Sequence, residues 1–275
     1  MLLGVVVIIA VIGLATRGGG DSQPAAAAAP VVPTVTTATT ASATDLGPRD
    51  RELVDIGHQG VSVHRAGGAR RMIALTFDDG PGPDTRPLLA ELRKLQVPAT
   101  FFVIGRNVKN DPSVVAEEAA DGHQIGIHTW DHANMTTLNS QRQKDEIVTT
   151  SNEILAAAGV SSRLFRAPYG AVNASVISQA EKQNLLSVLW DVDTNDWQRP
   201  SADQIVRTVV DTATSGSIIL MHDGGGDRSS TVAAVPLIVR QLRAKGYEFS
   251  TVGDLVVSDP PGPGDLSKDG RGVSE

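Results

Sequence analysis

The sequence predicts one α/β domain, a distorted (β/α) barrel with about seven parallel strands. Short apolar runs alternate with helical patterns seven times between residues 72 and 252. Acidic, histidine and arginine side chains follow five of these runs. If these side chains act together they must meet at one site, and a closed ring brings the ends of five of seven strands together more readily than an open sheet. Seven units rather than eight predict an irregular barrel.

Each strand and helix follows from a local pattern. Apolar runs predict strands at 72–77, 99–104, 124–128, 163–166, 185–192, 217–222 and 248–252. Helical patterns predict helices at 84–96, 112–122, 140–158, 174–184, 202–214 and 230–245. Leucines lie on one side of the first helix, and Asp111 and Pro112 supply the N-cap and first residue of the second. Gly122, Gly159 and Gly246 end the second, third and last helices.

Residues 1–17 are predicted to be a membrane anchor or a signal segment. Residues 2–15 are apolar apart from Gly4 and Gly13, and Arg17 follows them. This run is shorter than the roughly 20 residues that span a bilayer, and no positively charged region precedes it. A signal peptide, a signal anchor and a longer anchor that starts before this sequence all stay open. In each case the protein is expected outside the cytoplasm, anchored to the membrane or secreted.

Composition divides the rest of the chain into three segments. Residues 18–48 are rich in Ala, Pro and Thr and are predicted to be a flexible linker, because they bury too little apolar surface to fold. Residues 49–257 are predicted to be the folded body, with residues 49–71 as a lead-in strand or surface. Residues 258–275 are rich in Asp, Gly and Pro and are predicted to be a disordered tail.

Charge and cysteine content exclude several kinds of function. The formal charge is −7 and the pI is about 5.4, so nucleic acid is not expected as a partner. The sequence contains no cysteine, which excludes disulfides, thiolate metal ligands and a cysteine nucleophile. Any bound metal must therefore be held by histidine and carboxylate.

Two motifs together predict a metal site. Asp78 and Asp79 follow the first strand, although an Asp-Asp-Gly sequence is also common in plain turns. His128 and His132 are four residues apart, which lets two imidazoles share one face of a helical turn, although such pairs also occur on surfaces. Asp79 and the two histidines make three ligands and leave a position for water, as in catalytic zinc sites. Asp78 is then assigned as the base.

Arg166 and Tyr169 lie at the end of the fourth strand. Arg166 is either solvated beside a proline turn or paired with Asp78, which it would hold ionised and oriented. The same turn could aim the Tyr169 backbone N–H at an oxyanion.

Asp196 and His222 follow the fifth and sixth strands. A histidine at a strand end is more often structural than catalytic unless a carboxylate orients it. Asp196 could be that carboxylate, keeping His222 protonated so that it can protonate a leaving group. Trp197 and Leu220 are either core residues or the walls of a small apolar pocket.

With these residues the chain resembles the polysaccharide deacetylases of carbohydrate esterase family four. The five motifs of that family occur in order, without departure at any catalytic position, at residues 76–80, 128–132, 166–170, 193–197 and 220–222. The resemblance covers about residues 72–255 and implies a distorted (β/α) barrel, with residues 49–257 as the catalytic domain. It implies a base, Asp78, its partner Arg166, an acid, His222, and its partner Asp196. It also implies metal ligands at Asp79, His128 and His132, and an oxyanion and acetyl pocket at Tyr169, Trp197 and Leu220.

The resemblance also implies a reaction. The expected enzyme removes N-acetyl groups from N-acetylglucosamine residues of a glycan, peptidoglycan or chitooligosaccharide, and releases acetate. One divalent ion is implied, zinc or another such as cobalt. The expected partners are the glycan and, through the N-terminal segment, the membrane; a monomer is expected. Two alternatives stay open: an O-acetyl esterase of the acetylxylan type that uses the same site, and a cell-wall-binding module without activity.

Overall fold

The computed structural model describes residues 46–269, so the predicted anchor and nearly all of the predicted linker lie outside the described residues. Its strands are β1 (Ser62–Val63), β2 (Met72–Asp78), β3 (Thr100–Val103), β4 (Gln124–Ile127), β5 (Leu164–Phe165), β6 (Leu186–Val188), β7 (Val192–Asp193), β8 (Ile218–His222), β9 (Glu248–Ser250) and β10 (Leu266–Ser267). Its helices are α1 (Pro48–Gly57), α2 (Thr85–Leu95), α3 (Gly105–Asn110), α4 (Pro112–Ala120), α5 (Ser140–Ala158), α6 (Ala174–Lys182), α7 (Ala202–Thr212), α8 (Ser229–Ala244) and α9 (Val252–Ser258). Within this part of the chain, no helix combines the length and the apolar character needed to cross a bilayer.

The strands form one sheet in the order β10-β1-β6-β5-β4-β3-β2-β8-β7, with β9 paired to β2 beside this path. All neighbours are parallel except β1 and β10. The path does not close into a full ring, but an isolated antiparallel bridge joins Arg65 to Ser217, which directly precedes β8. The predicted α/β barrel is therefore confirmed in an incomplete form, with helices packed around a mostly parallel sheet.

Strand β2 lies centrally and has the Asp78-Asp79 motif at its carboxyl end. It pairs with β3, β8 and β9, and six of its seven residues are buried. Phe77 stacks on Phe101 with ring centroids 5.3 Å apart, and Phe102 and Phe165 are fully buried nearby in the same core. Because the paired strands are parallel, their carboxyl ends meet at one edge, which is where α/β proteins place their sites.

The predicted strand at 185–192 is two strands, β6 and β7. The break occurs where the chain changes pairing partner. Leu189 N–H donates to Val63 O at 2.7 Å, next to β1, whereas Asp191 N–H donates to Ile218 O at 3.2 Å, in β8. Asp191, which is charged and only partly buried, lies within the break and is the one interruption of the apolar run that could have indicated it.

The prediction of a disordered tail is wrong for residues 258–269. This segment contains β10, which pairs antiparallel with β1, and Ser267 Oγ lies 2.8 Å from His64 Nε2 in a buried hydrogen bond. The lead-in at residues 49–71 forms α1 and the short strand β1, where surface or strand had been predicted. A Gly- and Pro-rich composition does not show that a returning segment can complete a sheet edge.

Ending the chain after Ser258 should therefore destabilise the domain. The truncation removes the β1–β10 pairing and the hydrogen bonds that Gly67 N–H and Arg70 N–H donate to Asp259. At about 1 kcal/mol net for each hydrogen bond, the free energy of unfolding should fall by roughly 2–4 kcal/mol in urea titration. A chain that ends after Asp269 is the control and should keep its stability. Equal unfolding midpoints for the two truncations would contradict the prediction.

Candidate active site

Strands β2 and β8 set the predicted base and the predicted acid side by side. Asp78 and His222 are direct cross-strand partners, and Thr76 and Leu220 are partners two residues earlier. Side chains two residues apart in a strand point to the same face. Asp78 and His222 therefore face the same space, next to Leu220.

Arg166 holds Asp78 from inside the barrel. The Arg166 side chain is fully buried. Its Nη1 donates to Asp78 Oδ1 at 2.7 Å and to Thr76 Oγ1 at 2.8 Å, and its Nη2 donates to Leu189 O at 3.0 Å. Its guanidinium carbon lies 4.0 Å from the ring centroid of Phe102. Burial raises the pKa of Asp78, and the charge of Arg166 opposes that rise, which leaves a carboxylate that can accept a proton.

Asp79, His128 and His132 form a cluster that fits a divalent cation. Asp79 Oδ1 lies 3.5 Å from His128 Nε2 and 3.2 Å from His132 Nε2, and one ligand atom of each residue lies within 4.8 Å of the others. His128 Nδ1–H donates to Arg166 O at 2.8 Å, which leaves Nε2 unprotonated, and burial lowers the pKa of His128 to about 3. Asp79 Oδ1 is buried and, among the described residues, has no hydrogen-bond partner. A cation would satisfy that oxygen and both imidazoles.

The prediction that the two histidines share a helical turn is wrong. They lie in a loop in which Thr129 and His132 each have φ of 65°, in the left-handed region. Thr129 Oγ1 accepts the His132 N–H at 3.1 Å, and Glu146 Oε2 accepts the Trp130 N–H at 2.8 Å. Hydrogen bonds to side chains, rather than helical geometry, bring His128 and His132 together.

Asp196 binds His222 with both carboxylate oxygens. Asp196 Oδ1 lies 2.6 Å from His222 Nδ1, and Oδ2 accepts the His222 backbone N–H at 2.8 Å and the Thr231 hydroxyl at 2.7 Å. Burial lowers the pKa of His222, but the hydrogen bond and charge of Asp196 outweigh it and raise the pKa to about 9. His222 is therefore protonated at neutral pH.

The remaining predicted residues differ in exposure. Leu220 is 4% exposed, whereas Trp197 is 54% exposed and Tyr169 is 68% exposed. The exposure of Trp197 rules out core packing for that residue. Tyr169 has φ of 62°, and its hydroxyl lies 3.1 Å from His132 Nδ1. Nine of the ten predicted site residues thus lie in loops or at strand ends on the carboxyl edge of the sheet, and Leu220 lies two residues before the end of β8.

Three side-chain contacts at the site were not predicted from the sequence. Thr76 lies two residues before Asp78, so strand alternation could have indicated its contact with Arg166. Thr231 is 35 residues beyond Asp196, and no spacing pattern points to it. For Tyr169 only the backbone N–H had been considered, whereas its hydroxyl contacts His132.

Comparison with known proteins gives consistent matches. The family model for polysaccharide deacetylase matches residues 65–188. PgdA, a peptidoglycan-N-acetylglucosamine deacetylase of Listeria monocytogenes, is 39% identical over 186 residues, which are 67% of this chain and 39% of that protein. A chitooligosaccharide deacetylase of Rhizobium leguminosarum bv. trifolii is 37% identical over 204 residues, 70% of this chain and 95% of that protein. The solved Bc1960 peptidoglycan N-acetylglucosamine deacetylase has a TM-score of 0.68 and 35% identity, over 70% of this chain and 91% of that one.

These matches differ in extent. This chain spans about two-fifths of the Listeria relative, but nearly all of the Rhizobium one. The matched range includes Asp78, Asp79, both histidines of the cluster and Arg166. Sequence identity, fold and motif order agree, and the chain belongs to the polysaccharide deacetylase family.

Proposed function

We propose that this protein hydrolyses the N-acetyl groups of N-acetylglucosamine residues in peptidoglycan or chitooligosaccharides and releases acetate. The observation that carries the proposal is the pair of Asp78 and protonated His222 on neighbouring strand ends, beside the cluster of Asp79 and two histidines. Hydrolysis needs a base for water and an acid for the leaving group. An amine leaves an amide poorly unless it is protonated, so the charged His222 favours amide over ester cleavage.

Asp79, His128 and His132 would hold one divalent ion, for which we propose zinc. When bound, the ion supplies a Lewis acid that polarises the acetyl carbonyl and makes water more acidic. The same ligand set accepts cobalt and other divalent ions.

The other side chains have separate roles. Asp78 takes the proton of the attacking water, and Arg166 keeps Asp78 oriented and ionised. His222 gives its proton to the departing nitrogen, and Asp196 keeps His222 charged and fixes its ring. Each of these four groups has a hydrogen bond that holds it in place before substrate arrives.

The acyl group would be bound by three more residues. The Tyr169 backbone N–H would donate to the oxyanion, a kind of contact whose loss typically costs about 10²–10³ in kcat. Leu220 and Trp197 would enclose the acetyl methyl group. The exposed Trp197 ring and the buried Leu220 side chain would give this pocket one wall open to solvent and one buried wall.

Acetate release by the full-length protein tests the function directly. Peptidoglycan, chitooligosaccharides and acetylated xylan would be compared, with zinc, with cobalt and after chelation. We expect release from at least one of the two N-acetylated glycans, loss on chelation and recovery with either metal. Release from acetylated xylan alone would instead favour the esterase, and release that is unaffected by chelation would contradict the metal assignment.

Replacing Asp196 by asparagine should move the alkaline limb of the pH profile. In the wild type His222 is protonated below its pKa of about 9, so activity should persist at neutral pH and fall as the pH rises through about 9. Without the Asp196 charge, burial lowers the His222 pKa. The alkaline limb of kcat/KM should therefore move down by at least about one pH unit. An unchanged limb would show that another group controls it.

We further propose that the protein acts outside the cytoplasm as a monomer, held at the membrane by residues 1–17. The support is the apolar run at residues 2–15 and the low-complexity segment after it. Fractionation of cells that express the full chain tests the location, and size-exclusion chromatography in detergent tests the monomer. Recovery in the cytoplasmic fraction would contradict the proposal.

A further inference from the structure

We propose that Arg228 is a positioning residue that holds the glycine loop, residues 224–226, against Asp79. The inference rests on the proposed metal site, to which it adds a part. Neither Arg228 nor the glycine loop belongs to the five motifs, and no role in the reaction described above uses them.

Arg228 is buried and binds backbone rather than a carboxylate. It is 4% exposed. Its Nε donates to Gly224 O at 2.8 Å, its Nη2 to Gly225 O at 3.1 Å and its Nη1 to Asp227 O at 3.2 Å. No ion pair of residues 46–269 includes it. A planar guanidinium that donates to three carbonyls of one short segment fixes the shape of that segment.

The glycine loop lies directly on Asp79. A β-carbon at Gly224 would lie 2.1 Å from Asp79 O, and one at Gly225 would lie 2.8 Å from Asp79 Oδ2. The Asn107 side-chain Nδ2 also donates to the Asp79 backbone O, at 2.9 Å. The backbone of the glycine loop therefore packs directly against Asp79, and neither Gly224 nor Gly225 has room for a β-carbon.

Asp79 needs such support because its own backbone is unfavourable. It has φ of 76°, in the left-handed region that side chains seldom adopt. Metal ligands must be held close to their ideal geometry, and residues that orient a ligand contribute to affinity although they do not touch the metal. If the glycine loop moves, the Asp79 carboxylate gains room to rotate, and rotation would carry Oδ1 away from His128 and His132.

Two further hydrogen bonds tie the loop to the segment that contains Asp79. The Arg228 backbone N–H donates to Asp84 Oδ2 at 2.7 Å, and the Gly224 N–H donates to Asp78 O at 3.3 Å. Asp84 and Asp78 both lie in the segment that runs from β2 to α2. Arg228 thus joins the loop that follows β8 to the loop that follows β2, which contains Asp79.

Metal affinity measured by calorimetry with Zn²⁺ and Co²⁺ tests the role of Arg228. Arg228→Lys keeps the charge but cannot reach three carbonyls, so we expect the Kd for metal to rise about 10- to 100-fold. Arg65→Lys is the matched control, because Arg65 Nη2 donates to Ser215 O near the opposite end of β8. That variant should bind metal like the wild type, whatever it does to the unfolding temperature measured in chelator.

Gly225→Ala tests the contact between the glycine loop and Asp79. It also tests the inference if Arg228→Lys does not fold. Gly225 has φ of 73° and Gly159 has φ of 69°, but a β-carbon at Gly159 would meet nothing within 4 Å. Both alanine variants therefore carry similar backbone strain, and only Gly225→Ala should weaken metal binding. Wild-type affinity in Gly225→Ala and in any folded Arg228→Lys would overturn the inference. A wild-type protein that bound no metal would overturn the metal site itself, and this inference with it.

Discussion

Replacing Asp78 by asparagine should lower kcat for N-acetyl hydrolysis by about 10²–10⁴-fold, the usual contribution of a general base. Asparagine keeps the size of the side chain and can still accept from Arg166, but it cannot take a proton from water. Asp79, His128 and His132 are untouched, so metal affinity should change little. The measurement is acetate release per active site, with the metal content of the variant determined in parallel.

Stability must be separated from catalysis in this variant. Arg166 is fully buried, and without the Asp78 charge the free energy of unfolding could fall by as much as about 3–5 kcal/mol. Asp191→Asn is a suitable control, because the Asp191 carboxylate also accepts hydrogen bonds, from Ser217 Oγ and the Ile218 N–H, but does so at the start of β8, at the opposite end from His222. Asp191→Asn should keep kcat. A folded, metal-loaded Asp78→Asn protein with more than a tenth of wild-type kcat would remove Asp78 from the role of base.

Replacing His222 by alanine should have the second large effect, and the effect should depend on the bond that is cleaved. An amide nitrogen needs a proton to leave, whereas an alkoxide leaves with less help. We therefore expect kcat to fall by about 10²–10⁴-fold on an N-acetylated glycan and much less on an activated acetate ester. Both rates would be measured on one metal-loaded preparation.

The ester serves as an internal control for damage to the fold or the metal site. Such damage would reduce both rates together, whereas loss of the acid reduces the amide rate selectively. The Asp196 carboxylate, left without the imidazole, still accepts from Thr231, so the loop should keep its place. Equal losses on both substrates would contradict the role of His222 as the acid.

The parts of the fold that the sequence predicts well are those with local signals. Helix α5 was predicted at residues 140–158 and has those bounds, because Asn139 caps its start and Gly159 ends it in a left-handed conformation. The pairing of β1 with β10 has no such signal, because two short strands about 200 residues apart pair through backbone hydrogen bonds, which leave no pattern of residue types. Sequence patterns report local conformation, and distant pairing depends on the whole chain.

The candidate site divides in the same way. Motif spacing pointed to Asp79, His128 and His132 as a group, and the structure brings them together. Motif spacing could not predict that these residues meet in a loop with left-handed residues rather than in a helical turn. The conformation at Thr129 depends on contacts with distant side chains, which spacing does not report. Residues that support the site from a distance, such as Thr231, carry no pattern of their own.

Arg166 also has a mechanical consequence for the molecule. Its side chain extends from the end of β5 to Asp78 at the end of β2, and it also binds Leu189 O just beyond β6. In the sheet order, β2 and β6 are separated by three other strands. The guanidinium therefore acts as an internal strut in a barrel whose wall is not fully closed by strand pairing. The same Arg166 side chain therefore joins distant strands and orients Asp78. The proposed active site is thus part of the structural core of the domain rather than an addition to its surface.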